Sequence, residues 1–242
     1  MAKHFLTFGG GSQNFRDASM RLKIQVEASS LFDYVHCYID ADLEKEVEFW
    51  NTHKDFISKH KRGHGYWIWK SYLILKTLES MKDNDILLYL DAGCELNCKN
   101  IKKLNKMKEF FSIVQTTDII YTIVLNKPNL EKFWNKMDLI KYLDVGDDRY
   151  LNTPQIQGGI LMLRKCDKVV KLIRQWYELS CNYHFLDDSK SIEPDIKERE
   201  QYRHDQSILS LLIKKHNMEN NYSLYDAVEC IHNRTGDMRY PP

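Results

Sequence analysis

The fold is decided by Asp85-Ile86-Leu87-Leu88-Tyr89-Leu90-Asp91-Ala92-Gly93-Cys94-Glu95. Its centre is a short, continuous apolar run between acidic turn residues, which is typical of a strand buried on both faces of a sheet. In open α/β sheets, ligands bind outside the carboxyl ends of such strands. Asp91 is therefore predicted to lie at the ligand-binding edge, where Gly93 permits close approach of a backbone or a ligand. The structural alternative is that Asp91 only caps the next turn.

Length and composition are those of an ordinary globular protein. The 242 residues are 43% hydrophobic and 29% charged, which predicts one domain over 1–242 with a sizeable core. The net charge of +1 argues against nucleic acid as a partner. No apolar run reaches the roughly 18 residues of a transmembrane segment, and a strand pattern stands where a secretory leader would be. We expect a cytoplasmic location; the alternatives are peripheral membrane association and, for a viral source, the host cytoplasm or the virion.

The first 40 residues predict a βαβ unit. A strand at 4–8 runs into Gly9-Gly10-Gly11-Ser12, a helix follows over 15–31, and a strand at 34–39 ends at Asp40. This order implies a right-handed crossover and a parallel strand pair. The glycines free the backbone to wrap around a ligand, and the following helix can offer N–H groups to a phosphate. A plain flexible turn is the alternative. Asp40 stands where such folds contact a ribose hydroxyl.

An unusual concentration of glycines, aromatic rings and cations occurs in Arg62-Gly63-His64-Gly65-Tyr66-Trp67-Ile68-Trp69-Lys70. Rings beside cations suit stacking on a base or a sugar and pairing with phosphate. The alternative is that Trp67 or Trp69 anchors the core. Of these residues, Lys70 is the better candidate for a functional side chain.

Polar segments in the second half supply further candidates. Gln157-Gly158-Gly159 precedes a hydrophobic strand, and its glycines permit tight backbone approach. His204-Asp205-Gln206-Ser207 opens a helix over 208–216, at the end that favours an anion or a hydrogen-bonded network, although Asp205 is also a common N-cap residue. His232 and Arg234 are candidates to face a metal or a diphosphate, while a lone histidine is often structural. The remaining pattern predicts a strand at 118–125, helices at 43–60, 72–81, 97–111, 129–143 and 168–183, and a loop at 187–200.

Together these motifs resemble those of GT-A glycosyltransferases, which use nucleotide-sugar donors. The likeness is carried by the glycine loop, Leu-Asp-Ala-Gly at 90–93, Gln-Gly-Gly at 157–159, His-Asp-Gln-Ser at 204–207 and His232. It is closest to small bacterial and giant-virus enzymes of surface-polysaccharide or glycan synthesis, which carry a similar Arg-Gly-x-Gly-Tyr-Trp-x-Trp-Lys stretch. The resemblance spans nearly the whole chain. It implies an α/β, Rossmann-like fold with a mixed, mostly parallel sheet flanked by helices.

The resemblance also implies an activity. A sugar would pass from a nucleoside-diphosphate sugar, with a UDP-sugar favoured, to a glycan, a protein or a lipid-linked acceptor. His204 and Asp205 would act near the sugar or on the acceptor. The implied donor-binding residues are Phe8, Gly9, Gly10, Arg16, Asp40, Lys70, Asp91, Ala92, Gly93, Gln157, Gly158, Gly159 and Arg234.

A divalent cation, Mn²⁺ or Mg²⁺, is a further implication of the resemblance. Asp91 matches the first acid of the family's Asp-x-Asp motif, Gly93 stands at the second acid's position, and His232 matches a C-terminal histidine that completes the metal shell in many such enzymes. Gly93 is a departure, because the second acid usually contacts the metal most directly. Glu95 is one substitute. The other is a metal-free clamp on the diphosphate by basic side chains: Lys70, Arg16, Arg21 or Arg234.

Retention and inversion of configuration both stay open. Either outcome requires stabilisation of the leaving diphosphate by a cation or by Lys and Arg side chains. Inversion also requires a carboxylate that takes the acceptor's proton, for which Asp205 is the candidate, with Asp147 and Asp148 behind it. With retention, Asp205 would instead orient the sugar.

Two other classes of protein explain parts of the sequence. An enzyme that uses a dinucleotide or S-adenosylmethionine would use the glycine loop and Asp40. However, Gly-Gly-Gly-Ser-Gln-Asn lacks the third glycine of the dinucleotide fingerprint, and Asp91 would have no role. A non-catalytic glycan- or protein-binding module would use Tyr66, Trp67 and Trp69 as a stacking platform.

Overall fold

The computed structural model describes residues 1–123, 129–196, 200–230 and 232–241. In chain order the elements are β1 (Lys3–Gly9), α1 (Gln13–Ser29), β2 (Tyr34–Ile39), α2 (Asp40–Glu44), α3 (Val47–Lys59), the irregular turn α4 (Gly63–Tyr66), α5 (Ile68–Ser80), β3 (Ile86–Leu90), β4 (Cys94–Glu95), α6 (Ile101–Thr117), β5 (Ile119–Ile120), α7 (Glu131–Trp134), α8 (Met137–Leu143), α9 (Asp148–Leu151), β6 (Ile160–Arg164), α10 (Asp167–Ser180), α11 (Tyr183–Leu186), α12 (Asp205–Lys215), a 3₁₀ turn (Leu224–Asp226) and β7 (Glu229–Cys230).

The main sheet has five strands in the order β2-β1-β3-β6-β5. β1 pairs in parallel with both β2 and β3, whereas β6 is antiparallel to its neighbours β3 and β5. Four of the five strands therefore share one direction. This confirms the predicted α/β fold with a mixed, mostly parallel sheet flanked by helices.

The predicted strand of the opening stretch is the centre of the sheet. All of its residues are at most 1% exposed, as expected of a strand covered on both faces. Side chains alternate between the faces: Leu87 and Tyr89 join one apolar cluster, while Leu88 and Leu90 join the other. The first cluster includes residues of α5, α10 and α12, and the second includes residues of α1 and α6. This packing holds the carboxyl end of β3 in a fixed position.

Some predicted boundaries differ from the observed ones. In place of the strand at 118–125, β5 covers Ile119–Ile120 and Ile123 makes an isolated bridge to Ile156, while positions 124–128 lie outside the described residues. The helix predicted at 129–143 is split into α7 and α8, because Asn135 and Lys136 adopt extended backbone angles. The two-stranded sheet of β4 and β7 was not predicted. Within the loop predicted at 187–200, positions 197–199 also lie outside the described residues.

None of the helices in the described part of the chain combines the length and the apolar character needed to cross a membrane.

Candidate active site

Three charged side chains from three elements meet at the carboxyl end of β3. Asp91 directly follows the strand, Lys70 lies in the first turn of α5, and Asp205 is the first residue of α12. Lys70 Nζ lies 3.0 Å from Asp205 Oδ2 and 3.3 Å from Asp91 Oδ1. The Tyr89 hydroxyl donates a hydrogen bond of 2.5 Å to the same Asp91 oxygen. We call Lys70, Asp91 and Asp205 the charged triad.

Burial and the mutual interactions of the triad shift the pKa values of Lys70 and Asp205. Lys70 is 3% exposed, and burial opposes its charge, but attraction to Asp205 and Asp91 outweighs burial and raises the pKa of Lys70. Burial raises the pKa of Asp205 to about 6; repulsion from Asp91 adds to the effect and Lys70 opposes it. Lys70 therefore stays charged, while Asp205 exchanges a proton near neutral pH, as a general acid or base requires.

The predicted glycine pair lies against the triad. The Asp91 amide donates a hydrogen bond of 2.8 Å to the Gly159 carbonyl, and a Cβ on Gly159 would lie 2.4 Å from Asp91 Oδ2. A Cβ on Gly158 would lie 3.3 Å from Asp205 Oδ2. A side chain at position 159 would collide with the Asp91 carboxylate, so the observed position of that carboxylate requires glycine at 159.

A cleft of about 240 Å³ opens beside the triad. The cleft is lined by the turn after β3, the entry to β6, the start of α12 and the C-terminal segment. The lining residues are Asp91, Gly93, Cys94, Gln157, Gly159, Ile160, Arg203, Gln206 and His232. Sites for whole small molecules measure roughly 300–1,000 Å³. The cleft therefore suits one part of a larger ligand, such as its phosphates or a single sugar ring.

Sequence reasoning missed Arg203 and Gln206 as cleft residues. Gln206 accepts a hydrogen bond from the Gly158 amide and donates one to Gln155, which ties α12 to the glycine pair. Position 206 was named only as part of the motif that opens the helix. The signal available was its place in the first turn of α12, one residue after Asp205.

The aromatic residues of the 62–70 stretch surround Lys70. Tyr66 and Trp69 are buried, Trp67 is partly buried, and Trp69 Nε1 donates to the Gly63 carbonyl. Lys70 Nζ lies 5.9 Å from the ring centres of both Trp67 and Trp69. These rings give the ammonium an apolar and electron-rich wall. Tyr66 and Trp69 are core residues, so of the three rings only that of Trp67 is partly accessible for stacking on a ligand.

His204 lies behind the triad. It is 2% exposed, its Nδ1 lies 2.7 Å from the Leu186 carbonyl oxygen, and its ring stacks on Tyr66. Burial lowers the pKa of His204 to about 4. The imidazole is therefore neutral at pH 7, with Nδ1 as the donor. It does not line the cleft. Asp147 and Asp148, the other carboxylates considered for proton transfer, are exposed at the start of α9 and do not line it either.

The predicted donor residues near β1 form a separate cluster. Asp40 accepts a hydrogen bond from the Gly11 amide at 2.7 Å and one from Arg16 at 2.6 Å. A Cβ on Gly10 would lie 2.4 Å from the Phe8 ring, and a Cβ on Gly9 would lie 2.3 Å from the Phe15 carbonyl. These glycines are therefore required for packing within the loop and against α1, whatever ligand the loop binds.

A buried polar network holds the C-terminal segment beside the cleft. Arg21 of α1 donates to the carbonyls of Ala92 and Cys94 on one side and to those of Asn233 and Thr235 on the other. Glu95, also fully buried, accepts hydrogen bonds from the side chains of Gln25 and Asn233 and from the amides of Arg239 and Tyr240. We call this set the C-terminal network. It occupies both Arg21 and Glu95.

His232 is placed by the same network. The Asn233 amide donates to the Gly93 carbonyl at 3.0 Å, and a Cβ on Gly93 would lie 3.4 Å from His232 Cα. The C-terminal segment thus crosses directly over Gly93. Arg234 lies outside the cleft lining, with its guanidinium carbon 5.8 Å from the centre of the Phe15 ring.

The fit to a divalent cation follows from these positions. Within 1–123, 129–196, 200–230 and 232–241, no three His, Cys, Asp or Glu side chains are grouped to hold a metal ion. Glu95 is engaged in the C-terminal network and Gly93 has no side chain. Asp91 and His232 both line the cleft. Mg²⁺ sites often use one or two carboxylates together with substrate phosphates, so a cation at this place would need ligands from a bound phosphate in addition to these two residues.

Comparisons with known proteins complete the description. No protein-family model and no curated protein matches the sequence. Among solved structures, the chain is similar to the crystal structure of mouse xyloside xylosyltransferase 1 in its apo form. The sequence identity is 10% and the TM-score 0.48, over 90% of this chain and 83% of that chain. At this distance the likeness has no bearing on chemistry, and function has to be inferred from the site.

Proposed function

We propose that this protein is a glycosyltransferase that moves a sugar from a nucleoside-diphosphate sugar, with a UDP-sugar favoured, to a glycan, protein or lipid-linked acceptor. One observation carries the proposal. The buried Lys70 holds Asp91 and Asp205 at the carboxyl end of the central strand, beside a cleft bordered by Gly159. This is the edge at which α/β sheets bind their ligands. The order of motifs described from the sequence agrees with it.

Each member of the triad has a task in this proposal. Lys70 lies within 3.3 Å of both carboxylates, so it would orient them. Asp91, with a side chain 41% exposed, faces the cleft and takes part in holding the donor. Asp205 has a side chain that is 5% exposed and is not itself part of the cleft lining. With a pKa raised to about 6 by burial, it would accept the acceptor's proton if configuration is inverted and orient the sugar if it is retained.

A divalent cation, Mn²⁺ or Mg²⁺, belongs to the same proposal. Asp91 and His232 would hold it, and when bound it would neutralise charge on the diphosphate leaving group. The C-terminal network keeps His232 next to Gly93, so the imidazole would line the cleft only while that network is intact.

The first test measures ligand binding. The protein would be melted with UDP, GDP, CMP, the corresponding nucleotide sugars, S-adenosylmethionine and NAD, each with Mn²⁺ and with EDTA. A ligand at about a hundred times its dissociation constant adds about 2.7 kcal/mol to the free energy of unfolding. We expect one nucleoside diphosphate to stabilise the wild type, and Asp91→Ala but not the exposed control Asp147→Ala to lose the response.

The second test measures turnover. We expect release of the nucleoside diphosphate from one nucleotide sugar, with the anomeric configuration of the product read by NMR. An inverted product together with full activity of Asp205→Asn would reject Asp205 as the base. Stabilisation by S-adenosylmethionine or NAD alone, or by no nucleotide at all, would reject the proposed function.

A further inference from the structure

Arg203 is a cleft residue whose position is fixed by its surroundings. Its guanidinium carbon lies 4.0 Å from the centre of the Trp134 ring. Its amide donates to the Trp134 carbonyl at 3.2 Å and to Ser207 Oγ at 3.3 Å. The side chain is half-buried and lines the cleft together with Asp91 and His232. Stacking on a ring leaves the edge of a guanidinium, which carries its N–H donors, free to point at a ligand.

Three of the four other basic side chains considered for a phosphate clamp are already paired with carboxylates. Lys70 lies between Asp91 and Asp205, Arg16 pairs with Asp40 at 2.6 Å, and Arg21 lies 3.7 Å from Glu95 in the C-terminal network. Arg234, the fourth, does not line the cleft.

Arg203 differs in its charge environment. Within the residues that the structure describes, no carboxylate lies within ion-pair distance of its guanidinium. Burial and the nearby Arg62 lower the pKa of Arg203, with Glu200 opposing them, so its charge is poorly compensated. Arginine stays protonated in proteins, and a half-buried charge without a counter-ion is costly. An anion that enters the cleft would remove that cost and gain charge-assisted hydrogen bonds.

We infer that Arg203 is the phosphate-binding residue of the cleft, and that its guanidinium donates paired N–H hydrogen bonds to a phosphate of the ligand. The source of the phosphate rests on the proposed function: it is either the diphosphate of the donor or a phosphate on a lipid-linked acceptor. Size agrees with this ligand, because a cleft of about 240 Å³ admits a phosphate group rather than a whole nucleotide sugar.

The test uses inorganic pyrophosphate, which requires no knowledge of the nucleotide or the sugar. Calorimetric titrations at one fixed, low ionic strength would compare wild type, Arg203→Gln, Arg203→Lys and the control Arg149→Gln. Arg149 matches Arg203 because its guanidinium carbon also stacks on a ring, 4.5 Å from the centre of Tyr150, but it lies outside the cleft lining. Melting of each variant without ligand shows whether it is folded.

We expect wild type and the control to bind pyrophosphate with equal affinity. Arg203→Gln should weaken binding by roughly 10- to 100-fold, since a charged hydrogen-bond pair is lost, and Arg203→Lys should recover part of the affinity because it keeps the charge but not the fork. Absence of pyrophosphate binding in the wild type would overturn the inference. So would equal affinity in wild type and a folded Arg203→Gln variant.

Two further arms identify the source of the phosphate. If it belongs to the donor, Arg203→Gln weakens binding of the nucleoside diphosphate but not of the nucleoside. If it belongs to the acceptor, nucleotide binding is unchanged and KM for a phosphorylated acceptor rises while KM for the donor does not. Pyrophosphate binding that depends on Arg203, in a protein without any transfer activity, would uphold the phosphate site and reject the proposed function.

Discussion

Gly159 is the residue that the geometry of Asp91 constrains most directly. An added methyl group would stand 2.4 Å from Asp91 Oδ2, so the carboxylate or the entry of β6 would have to move. We predict that Gly159→Ala lowers the transfer rate by about 100-fold, the loss expected when a reacting group is displaced by about 1 Å. Steady-state kinetics on the accepted nucleotide sugar measure it. Gly146→Ala is the matched control, because nothing lies within 4 Å of its added Cβ; equal activity of the two variants would contradict the prediction.

The pKa of Asp205 predicts how the activity depends on pH. Burial raises the pKa of Asp205 to about 6, with Asp91 adding to the shift and Lys70 opposing it. If the ionised carboxylate accepts a proton, kcat/KM rises with pH through about 6 and levels off above it. We predict that Asp205→Asn removes this rise along with most of the activity. A pH profile from 5 to 8 measures both; an acid limb that survives in Asp205→Asn must come from another group.

Single residues also show which parts of the site sequence reasoning can find. Asp91 and Asp205 were found because strand ends and helix starts are local features of the sequence. Arg203 was not found, because its significance depends on its position at the cleft and on the lack of an ion pair with any carboxylate among the described residues, which only the folded chain determines. The sequence identified Gly93 as a point of close backbone approach, but it gave no indication that residue 232 is the segment that approaches it.

At the scale of elements, the central strands were predictable and the division of the helical region at 129–143 was not. Continuous apolar runs predict buried strands wherever helices cover both faces. The break between α7 and α8 has a tertiary cause. Lys136 is buried there and reaches the His184 carbonyl and Asp187, contacts that are remote in sequence. The antiparallel direction of β6 likewise depends on the path of the chain and not on the strand's own residues.

The contacts of His53 in α3 with α10 and α11 predict how the stability of the fold depends on pH. His53 of α3 is buried, with Nδ1 2.8 Å from the Tyr183 hydroxyl and Nε2 3.1 Å from that of Tyr177. Burial lowers the pKa of His53 to about 4, below its value of about 6.5 in an unfolded chain. The unfolded state therefore binds the extra proton between about pH 6.5 and 4, and stability falls as pH falls through this range, by up to about 1.4 kcal/mol per pH unit.

We predict that His53→Gln, which can still bond to a tyrosine hydroxyl, has a shallower dependence of the free energy of unfolding on pH. Urea denaturation at pH 4.5 to 8 measures it. The slopes of wild type and variant should coincide above pH 7 and separate below 6.5. Parallel curves throughout would show that His53 takes up its proton equally in the folded and unfolded states.

For the whole molecule, the C-terminal network joins the first helix to the last described residues. Arg21 is fully buried, and its removal would take away the cation that faces the buried Glu95 and the hydrogen bonds that it donates to four carbonyls. Breaking such a pair costs about 3–5 kcal/mol. We predict this loss for Arg21→Met in urea denaturation. Arg174→Met, which breaks the exposed pair with Glu79, should cost no more than about 1 kcal/mol. Equal costs would contradict the prediction.

The overall α/β class was predictable from the order of strands and helices, whereas the C-terminal network was not. From the sequence, Arg21 was a candidate for a diphosphate clamp and Glu95 for a metal ligand, and nothing indicated that both are buried. Their burial depends on a segment more than 200 positions away folding back over the sheet edge.

That distance along the chain has a consequence for biosynthesis. Arg21 bonds to the carbonyl of residue 233, which is 212 positions later. At translation rates of about 5–20 residues per second, the nascent α1 waits roughly 10 to 40 seconds before its partner has been made. During that interval the guanidinium remains hydrated, and β1 and β3 can pair without it. The wall of the cleft that contains His232 can therefore be assembled only after residues 232 and 233 have been synthesised, long after α1 and β3.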